Sequence, residues 1–488
     1  MTLDAQQLKD VIAQRLGQKK MIVVSHREPY IHSYSGENVT WSVPAGGVVT
    51  ALDPVMRACG GTWIAYGGGD ADRDTVDAEG KVAVPPGEPK YWLKRVWLTR
   101  EEEQGYYYGF ANQGLWPLCH FAYTRPRFHE QDWEAYQAVN RKFAQAVLQE
   151  AGADPAFVFI QDYHFALLPR MLREERPDLI VAQFWHIPWP NPEAFRICPW
   201  GDEILRGLLG SDLLGFQIQY HCNNFFSTVE RGVEAVVDYE HFSVRRHGRR
   251  TLVRPFPISV DHEAILHASR SPDVKAEVER LRQELGPRHQ LVGVGVDRLD
   301  YTKGIPERLM AIDRFLEKYP EYQKRFSFLQ IGPSSRIYIP EYKLLNDQLY
   351  HLMVDINRKY GSDHWIPIRI LKANYPREKL LAFFQLADLC ITSSLHDGMN
   401  LVAKEFVSGC REESALILSQ FTGAATELED AIIVNPYHLE GFADAIKKAL
   451  DMPSEERERR ISRMRQTLAE NNVYDWAAKV VTEISRLN

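Results

Sequence analysis

The chain has 488 residues, 45% of them hydrophobic and 25% charged, with a formal net charge of −7. That length is more than one hydrophobic core and suits two domains, so a cleft between domains is the expected ligand site. No apolar run approaches the roughly 20 residues that span a bilayer, and the acidic balance lacks the broad basic footprint of nucleic-acid binding. Neither a membrane nor a nucleic acid is therefore expected as a partner.

The N-terminus reads as a polar helix from Ala5, without the charged-then-apolar order of a secretory signal, so the protein is expected in the cytoplasm. Short apolar runs follow at 21–25, 157–160, 179–185, 291–296, 326–331, 389–392 and 416–419, alternating with helical periodicity at 133–150, 306–318, 341–359, 377–386 and 439–452. Near-continuous apolar strands between helices mean parallel sheets covered on both faces, and the fold class is α/β, two Rossmann-like doubly wound domains. The prolines of Arg254 to Asp261 mark the crossing, giving domains over 1–255 and 256–472 and a last amphipathic helix in 473–488. The second domain is expected to open with a helix from about Asp273.

Cys59, Cys119, Cys198, Cys222, Cys390 and Cys410 show no C-x-x-C spacing, which fits reduced thiols better than disulfides or zinc, so neither a metal nor a cofactor is expected. Cys222 follows His221, but adjacent side chains on a regular element point apart.

Four stretches carry chemistry. Arg27 follows the opening strand, and Gly46-Gly47 precedes a helix whose N–H groups can approach an anion or sugar. Asp162 and His164, then His186, follow two buried strands, where a carboxylate and an imidazole can bond sugar hydroxyls; His164 is read as a structural histidine. After the strand at 291–296 come Arg298 and Lys303, fixed cations suited to a leaving diphosphate, against the plainer reading of a surface pair of Arg298 with Asp297 or Asp300. The Gly293-Val294-Gly295 pair lacks the third glycine of a dinucleotide site. Finally Asp397 to Glu405 joins a loop to a helix expected to begin near Met399, whose N-terminus can hold phosphate oxygens while Glu405, one turn in, accepts ribose hydroxyls.

Taken in order, Ser25-His26-Arg27, Gly46-Gly47, Leu115-Trp116-Pro117, Asp162-Tyr163-His164, His186-Ile187-Pro188, Arg298 to Gly304, Ser335-Arg336 and Asp397 to Glu405 closely resemble the trehalose-6-phosphate synthase family. The resemblance runs from Met21 to the last helix. It implies a GT-B fold, with the acceptor held mainly by the N-terminal domain, the nucleotide by the C-terminal one, and the last helix crossing back to the first domain. It implies Arg298 and Lys303 as diphosphate cations, Glu405 as ribose ligand and Leu401 and Val402 as backbone diphosphate contacts. Asp162, His186 and Asp397, Gly398, Met399 and Asn400 are implied as donor-glucose contacts, with Gly46 and Gly47 closing over the donor. Arg27, Tyr66, Tyr107, Trp116, Asp162 and Arg336 are implied as the acceptor pocket. Two guanidiniums can grip a phosphate dianion bidentately.

The implied reaction is a metal-independent, anomer-retaining glucosyl transfer from a nucleotide-glucose to a sugar phosphate. It runs by a front-face mechanism in which the enzyme positions and stabilises charge; Asp162 or Asp397 as a transient nucleophile stays open. Against the family pattern, His26 stands where many members have Asn, Tyr66 where they have Trp, and 31–42 is an insertion. Glycerol 3-phosphate, as in glucosylglycerol-phosphate synthase, is therefore the competing acceptor, but Tyr107, Phe110, Leu115-Trp116-Pro117 and Arg336 together match the pocket for glucose 6-phosphate, with UDP-glucose as the expected donor. A pseudo-glycosyltransferase or a silent regulatory module would be expected to lose the cations that this chain retains. A homo-oligomer is compatible with all of these readings.

Overall fold

A computed structural model describes residues 3–44, 46–286 and 291–486. The chain forms two compact units: one runs to Ile258 and takes in the segment from Val473, and the other is Ser259–Asn472.

The first unit holds β1 (Lys20–Arg27), β2 (Ile31–Ser35), β3 (Asn38–Ser42), β4 (Thr62–Tyr66), β5 (Lys81–Val84), β6 (Tyr91–Val96), β7 (Ala156–Gln161), β8 (Ile180–Phe184), β9 (Leu213–Phe216), β10 (Val236–Asp238), β11 (Ser243–Arg246) and β12 (Arg249–Pro255). Ten of them form one sheet in the order β10-β11-β12-β9-β8-β7-β1-β4-β6-β5. The inner strands from β12 to β6 pair in parallel, and β7 and β8 are buried along their whole length. That is why they read as unbroken apolar runs.

Both margins of this sheet depart from the all-parallel expectation. β5 runs antiparallel to β6 at one end, and β10, β11 and β12 form an antiparallel meander at the other. The arginine-rich residues 245–250 form the tip of the β11–β12 hairpin, where Arg245, Arg249 and Arg250 are exposed. The insertion at 31–42 is a second hairpin, β2–β3.

The second unit is a sheet of β13 (Leu291–Val296), β14 (Phe326–Ile331), β15 (Ile368–Leu371), β16 (Leu389–Thr392), β17 (Ala415–Ser419) and β18 (Ile432–Val434), ordered β15-β14-β13-β16-β17-β18 and parallel throughout. Its helices Ile305–Lys318, Pro340–Tyr360, Arg377–Leu386 and Leu439–Asp451 match the apolar periodicity in the sequence. Phe315, Phe326, Phe328, Leu389 and Phe442 are fully buried in its core. The unit opens earlier than expected, with the helix His262–Ser269 capped by Asp261 ahead of Pro272–Leu285; eight residues with two histidines are too few to show a clear period.

In each sheet the strand order reverses beside one strand, β1 in the first unit and β13 in the second. Ligands of open α/β sheets bind outside the carboxyl ends of strands at such switch points. The loops after β1, β7 and β8, and after β13 and β16, therefore define where to look.

The last helix, Val473–Ser485, belongs to the first unit and packs on the helix Ala5–Leu16; Leu487, expected to extend it, lies outside the described residues. Trp476 is buried, its indole N–H donating to the Phe256 carbonyl at 3.2 Å, with its ring 5.3 Å from Phe184 and 5.8 Å from Phe159. Replacing it with alanine is expected to cost about 3–5 kcal/mol, seen as an earlier thermal transition.

Candidate functional site

In the first unit, β1 ends in Ser25, His26 and Arg27. Ser25 Oγ donates to the Arg27 carbonyl at 2.6 Å and accepts the Trp63 indole N–H at 2.8 Å, which fixes the strand end. Beyond it, Arg95 is fully buried between two carboxylates, at 2.8 Å from both Glu28 and Asp72, which in turn accept the Gly68 and Gly69 N–H groups. Burial, with a hydrogen bond donated by the Glu28 carboxyl to Asp72, pushes Glu28 up to about 8, so the pair holds one proton against one guanidinium.

Arg27 reaches back over the start of the next helix: its Nη1 would lie 3.9 Å from a Cβ placed on Gly46. Gly46 caps the helix Gly47–Cys59 and has no side chain to fill that space.

Four rings form a stack next to Arg27. His26 lies 4.2 Å from Tyr107, 5.0 Å from His164 and 5.6 Å from Tyr66, with interplanar angles of 14°, 16° and 23°. His164, read as structural, is thus part of the same ring cluster as Tyr66 and Tyr107, and Tyr163 connects it to Trp116 at 5.8 Å. Tyr107 sits on a π-helical segment, Gln104–Leu115, an element that propensity does not signal. Asn112, overlooked in the sequence, holds it there by donating to the Tyr107 carbonyl at 2.7 Å while accepting the Tyr163 hydroxyl at 2.8 Å.

Asp162 follows β7 with φ of 71°, a left-handed conformation rare outside glycine. Its Oδ1 accepts the N–H groups of Tyr163 at 3.0 Å and His186 at 3.2 Å, joining the loops after β7 and β8. Burial lowers His186 to about 3, so its ring is neutral. Gln161 Nε2 faces the Phe159 carbonyl at 3.4 Å, which leaves Gln161 Oε1 toward His186 at 2.9 Å. The imidazole must then carry its proton on Nε2, and Nδ1 is an acceptor. Gln161 is another residue the sequence reading missed; only its place as the last residue of a buried strand could have flagged it.

In the second unit the loops after β13 and β16 meet. Lys303 Nζ contacts Asp397 Oδ2 at 2.5 Å, and the same oxygen accepts from Ser394 Oγ at 3.1 Å and Asn400 Nδ2 at 3.4 Å. The two carboxylates of the plainer surface-pair reading, Asp297 and Asp300, both lie in buried clusters. Asp297 is bound by Arg308 at 2.7 Å, whereas Asp300 accepts from Arg336 at 3.3 Å, from Tyr342 at 3.1 Å and from the Thr302 N–H at 3.0 Å. Burial opposes charge on Asp300, but Arg336, Arg298 and Lys303 around it hold its carboxyl below the usual range. Arg336 lies in this second unit, its side chain 4% exposed and in contact with that carboxylate.

The helix expected from Met399 begins at Leu401, because Asn400 turns left-handed with φ of 88° and caps the Ala403 N–H at 3.0 Å. Leu401 and Val402 are its first residues, and a helix cannot bond its own first N–H groups. Gly398 and Met399 are held by the segment after β17: Ala424 N–H donates to Met399 O at 2.9 Å, and a Cβ on Gly423 would collide with the Gly398 carbonyl. Glu405 therefore lies in the second turn, beyond the reach of a dipole explanation, half-buried, and burial pushes it up to about 7 although Arg377 opposes this.

Elsewhere, burial raises the Cys222 thiol far above its usual range in the helix Gln219–Gly232, which leaves it inert beside His221. Among the described residues no group of three or more His, Cys, Asp or Glu is placed to hold a metal ion, and no helix is long and apolar enough to cross a membrane.

The model of glycosyltransferase family 20 matches residues 19–486. A trehalose-6-phosphate synthase of Mycolicibacterium gilvum is 39% identical over 93% of this chain and 92% of its own length. Among solved structures, one from E. coli bound with UDP-2-fluoro glucose superposes with a TM-score of 0.85 at 30% identity, covering 96% of this chain and 99% of that one. An alpha,alpha-trehalose-phosphate synthase (UDP-forming) from Burkholderia xenovorans in complex with glucose-6-phosphate gives 0.85 at 30% identity, over 95% and 99%. The two doubly wound units have the GT-B fold of these neighbours, and the chain belongs to glycosyltransferase family 20.

Proposed function

We propose that this protein is a cytoplasmic synthase that transfers glucose, with retention, from a nucleotide-glucose of the UDP type to glucose 6-phosphate, releasing trehalose 6-phosphate and the nucleoside diphosphate. The observation that carries this reading is the meeting of Lys303, Asp397 and Asn400 at the switch point of the second sheet, in a chain that aligns over nearly its whole length with the UDP-forming synthase bound to glucose-6-phosphate. Five of the six cysteines are buried thiols, chemistry suited to a reducing compartment.

In this reading the second unit takes the donor. Arg298 and Lys303 meet the charge that develops on the diphosphate, the Leu401 and Val402 N–H groups bond its oxygens, and Glu405 accepts the ribose hydroxyls. Asp397, with Gly398, Met399 and Asn400, contacts the glucose, and Asp397 holds the Lys303 ammonium extended before the donor arrives. Asp162 and the Nδ1 side of His186 accept glucose hydroxyls, and Gly46 and Gly47 close over the donor. In the first unit Arg27 meets the acceptor phosphate, and Tyr66, Tyr107 and Trp116 form its walls; Arg336 is carried over as a phosphate ligand by resemblance to the family alone. The bond from the anomeric carbon to the diphosphate oxygen breaks as the acceptor hydroxyl attacks the same face, and that departing oxygen takes the hydroxyl proton. The protein's part is positioning and charge stabilisation.

The acceptor is glucose 6-phosphate rather than glycerol 3-phosphate because the chain aligns over 95% of its length with a synthase in complex with glucose-6-phosphate, and Tyr107, Phe110, Leu115-Trp116-Pro117 and Arg336 match the family's sugar-phosphate pocket. Nucleotide release from UDP-, ADP- and GDP-glucose with each acceptor tests this: turnover is expected with glucose 6-phosphate, and Arg298→Ala should lose about a hundredfold or more. Turnover with glycerol 3-phosphate alone would refute the acceptor assignment.

Glu405 adds a pH signature. Only its carboxylate accepts two hydroxyls, and that form dominates above about 7, so the KM for the donor should rise as pH falls through 7. In Glu405→Gln this dependence should flatten. Because the folded carboxyl titrates above its unfolded value, the ligand-free protein takes up a proton there on folding, and this contribution to stability fades as pH rises through 7. Donor binding at pH 6.5 should accordingly release protons, measured by calorimetry in buffers of different ionisation enthalpy.

A further inference from the structure

Arg308 lies in the first turns of the helix Ile305–Lys318, with no exposed surface, and the reading above gives it no role. Its guanidinium reaches the ends of three neighbouring strands. Nη2 donates to Asp297 Oδ2 at 2.7 Å just after β13, Nη1 to Gln330 Oε1 at 2.7 Å within β14, and Nε to Ser393 Oγ at 3.0 Å just after β16. Ser393 passes the connection on by donating to the Gly304 carbonyl at 2.9 Å, and Arg308 Nη2 is itself 3.5 Å from the Lys303 carbonyl.

We infer that Arg308 is the positioning residue of the donor site, setting the loop that carries Arg298 and Lys303 in register with the loop that leads to Asp397. This rests on the reading that those two cations hold the diphosphate.

Two structural facts give the inference its force. A buried cation is costly, so its retention calls for a return beyond packing. The backbone has also been cleared for it: a Cβ on Gly295 would collide with Arg308 Nη1, and one on Gly304, at φ of 59°, would collide with the Ser393 carbonyl. A planar fork with five donors can hold three partners at fixed angles, which an ammonium cannot. Backbone bonds complete the frame, from Leu395 N–H to the Thr302 carbonyl at 2.8 Å and from Leu299 N–H to the Pro333 carbonyl at 3.1 Å. A displacement of the Lys303 backbone by about 1 Å is enough to cost on the order of a hundredfold in rate.

The test compares Arg308→Lys and Ser393→Ala with the parent and with Arg298→Ala and Lys303→Ala. It measures kcat, both KM values, calorimetric affinity for UDP, and thermal melting. Folded Arg308→Lys should lose about a hundredfold in kcat and bind UDP at least several-fold more weakly, with the KM for glucose 6-phosphate essentially unchanged. Parental kcat and UDP affinity in the folded variant would overturn the inference, as would parallel rises in both KM values, the mark of general loosening. If Arg308→Lys does not fold, Ser393→Ala decides: it strands no charge, so a clear kcat loss at parental melting supports the inference and parental kcat refutes it. Loss in the two cation variants alongside a parental Arg308→Lys would sink this inference alone. Full activity in the cation variants would sink the reading beneath it and this inference with it.

Discussion

A protein that binds a diphosphate through its own cations must hold those cations together before the anion arrives. Like charges on one short loop repel, and in a partly desolvated setting the repulsion is poorly screened. Here Asp397 sits 2.5 Å from Lys303, and the carboxylates of Asp297 and Asp300 lie beneath the loop, each bound to an arginine. The carboxylates compensate the cations and also fix the backbone from which they project. Much of the second unit follows from this: the left-handed turn at Asn400, the cleared positions at Gly295 and Gly304, and the tie from Met399 to the segment after β17 all serve to keep two loops in one register.

The first unit solves a different problem with different means. Neutral sugars offer hydroxyls and faces rather than charge, and the residues gathered at its switch point are ring faces and a carboxylate whose geometry is set by backbone N–H groups. Charge is kept out of the surrounding framework. His186 is neutral by burial, and Glu28 and Asp72 share one proton against Arg95. Arg27 extends from that strand end to a glycine helix cap, where its Nη1 would lie 3.9 Å from a Cβ on Gly46.

What the sequence revealed divides along physical lines. Strands buried on both faces, such as β7, β13 and β14, announce themselves because every position must be apolar, and the residues immediately after them are candidates by topology alone. Elements stabilised by partners distant in sequence do not. The antiparallel margins of the first sheet alternate too irregularly, and the π-helix Gln104–Leu115 packs its Gly109 against Asp132 while Asn112 donates to the Tyr107 carbonyl. The supporting polar residues were equally hidden. Gln161, Asn112, Ser393 and Arg308 have no motif of their own; each matters through a contact whose other half lies elsewhere in the chain.

The pair Gly293 and Gly295 was set aside as a dinucleotide motif for want of a third glycine, and the structure gives it another purpose. Both glycines lie inside β13, as the apolar run 291–296 implied. A Cβ at Gly293 would press on Phe326 and Phe328, and one at Gly295 would displace the Arg308 guanidinium. Glycine within a strand weakens it, having no side chain to pack and more entropy to lose. The chain accepts that weakness at the strand whose end carries Arg298, which ties the local cost to the buried arginine and, through it, to the geometry of the cations above.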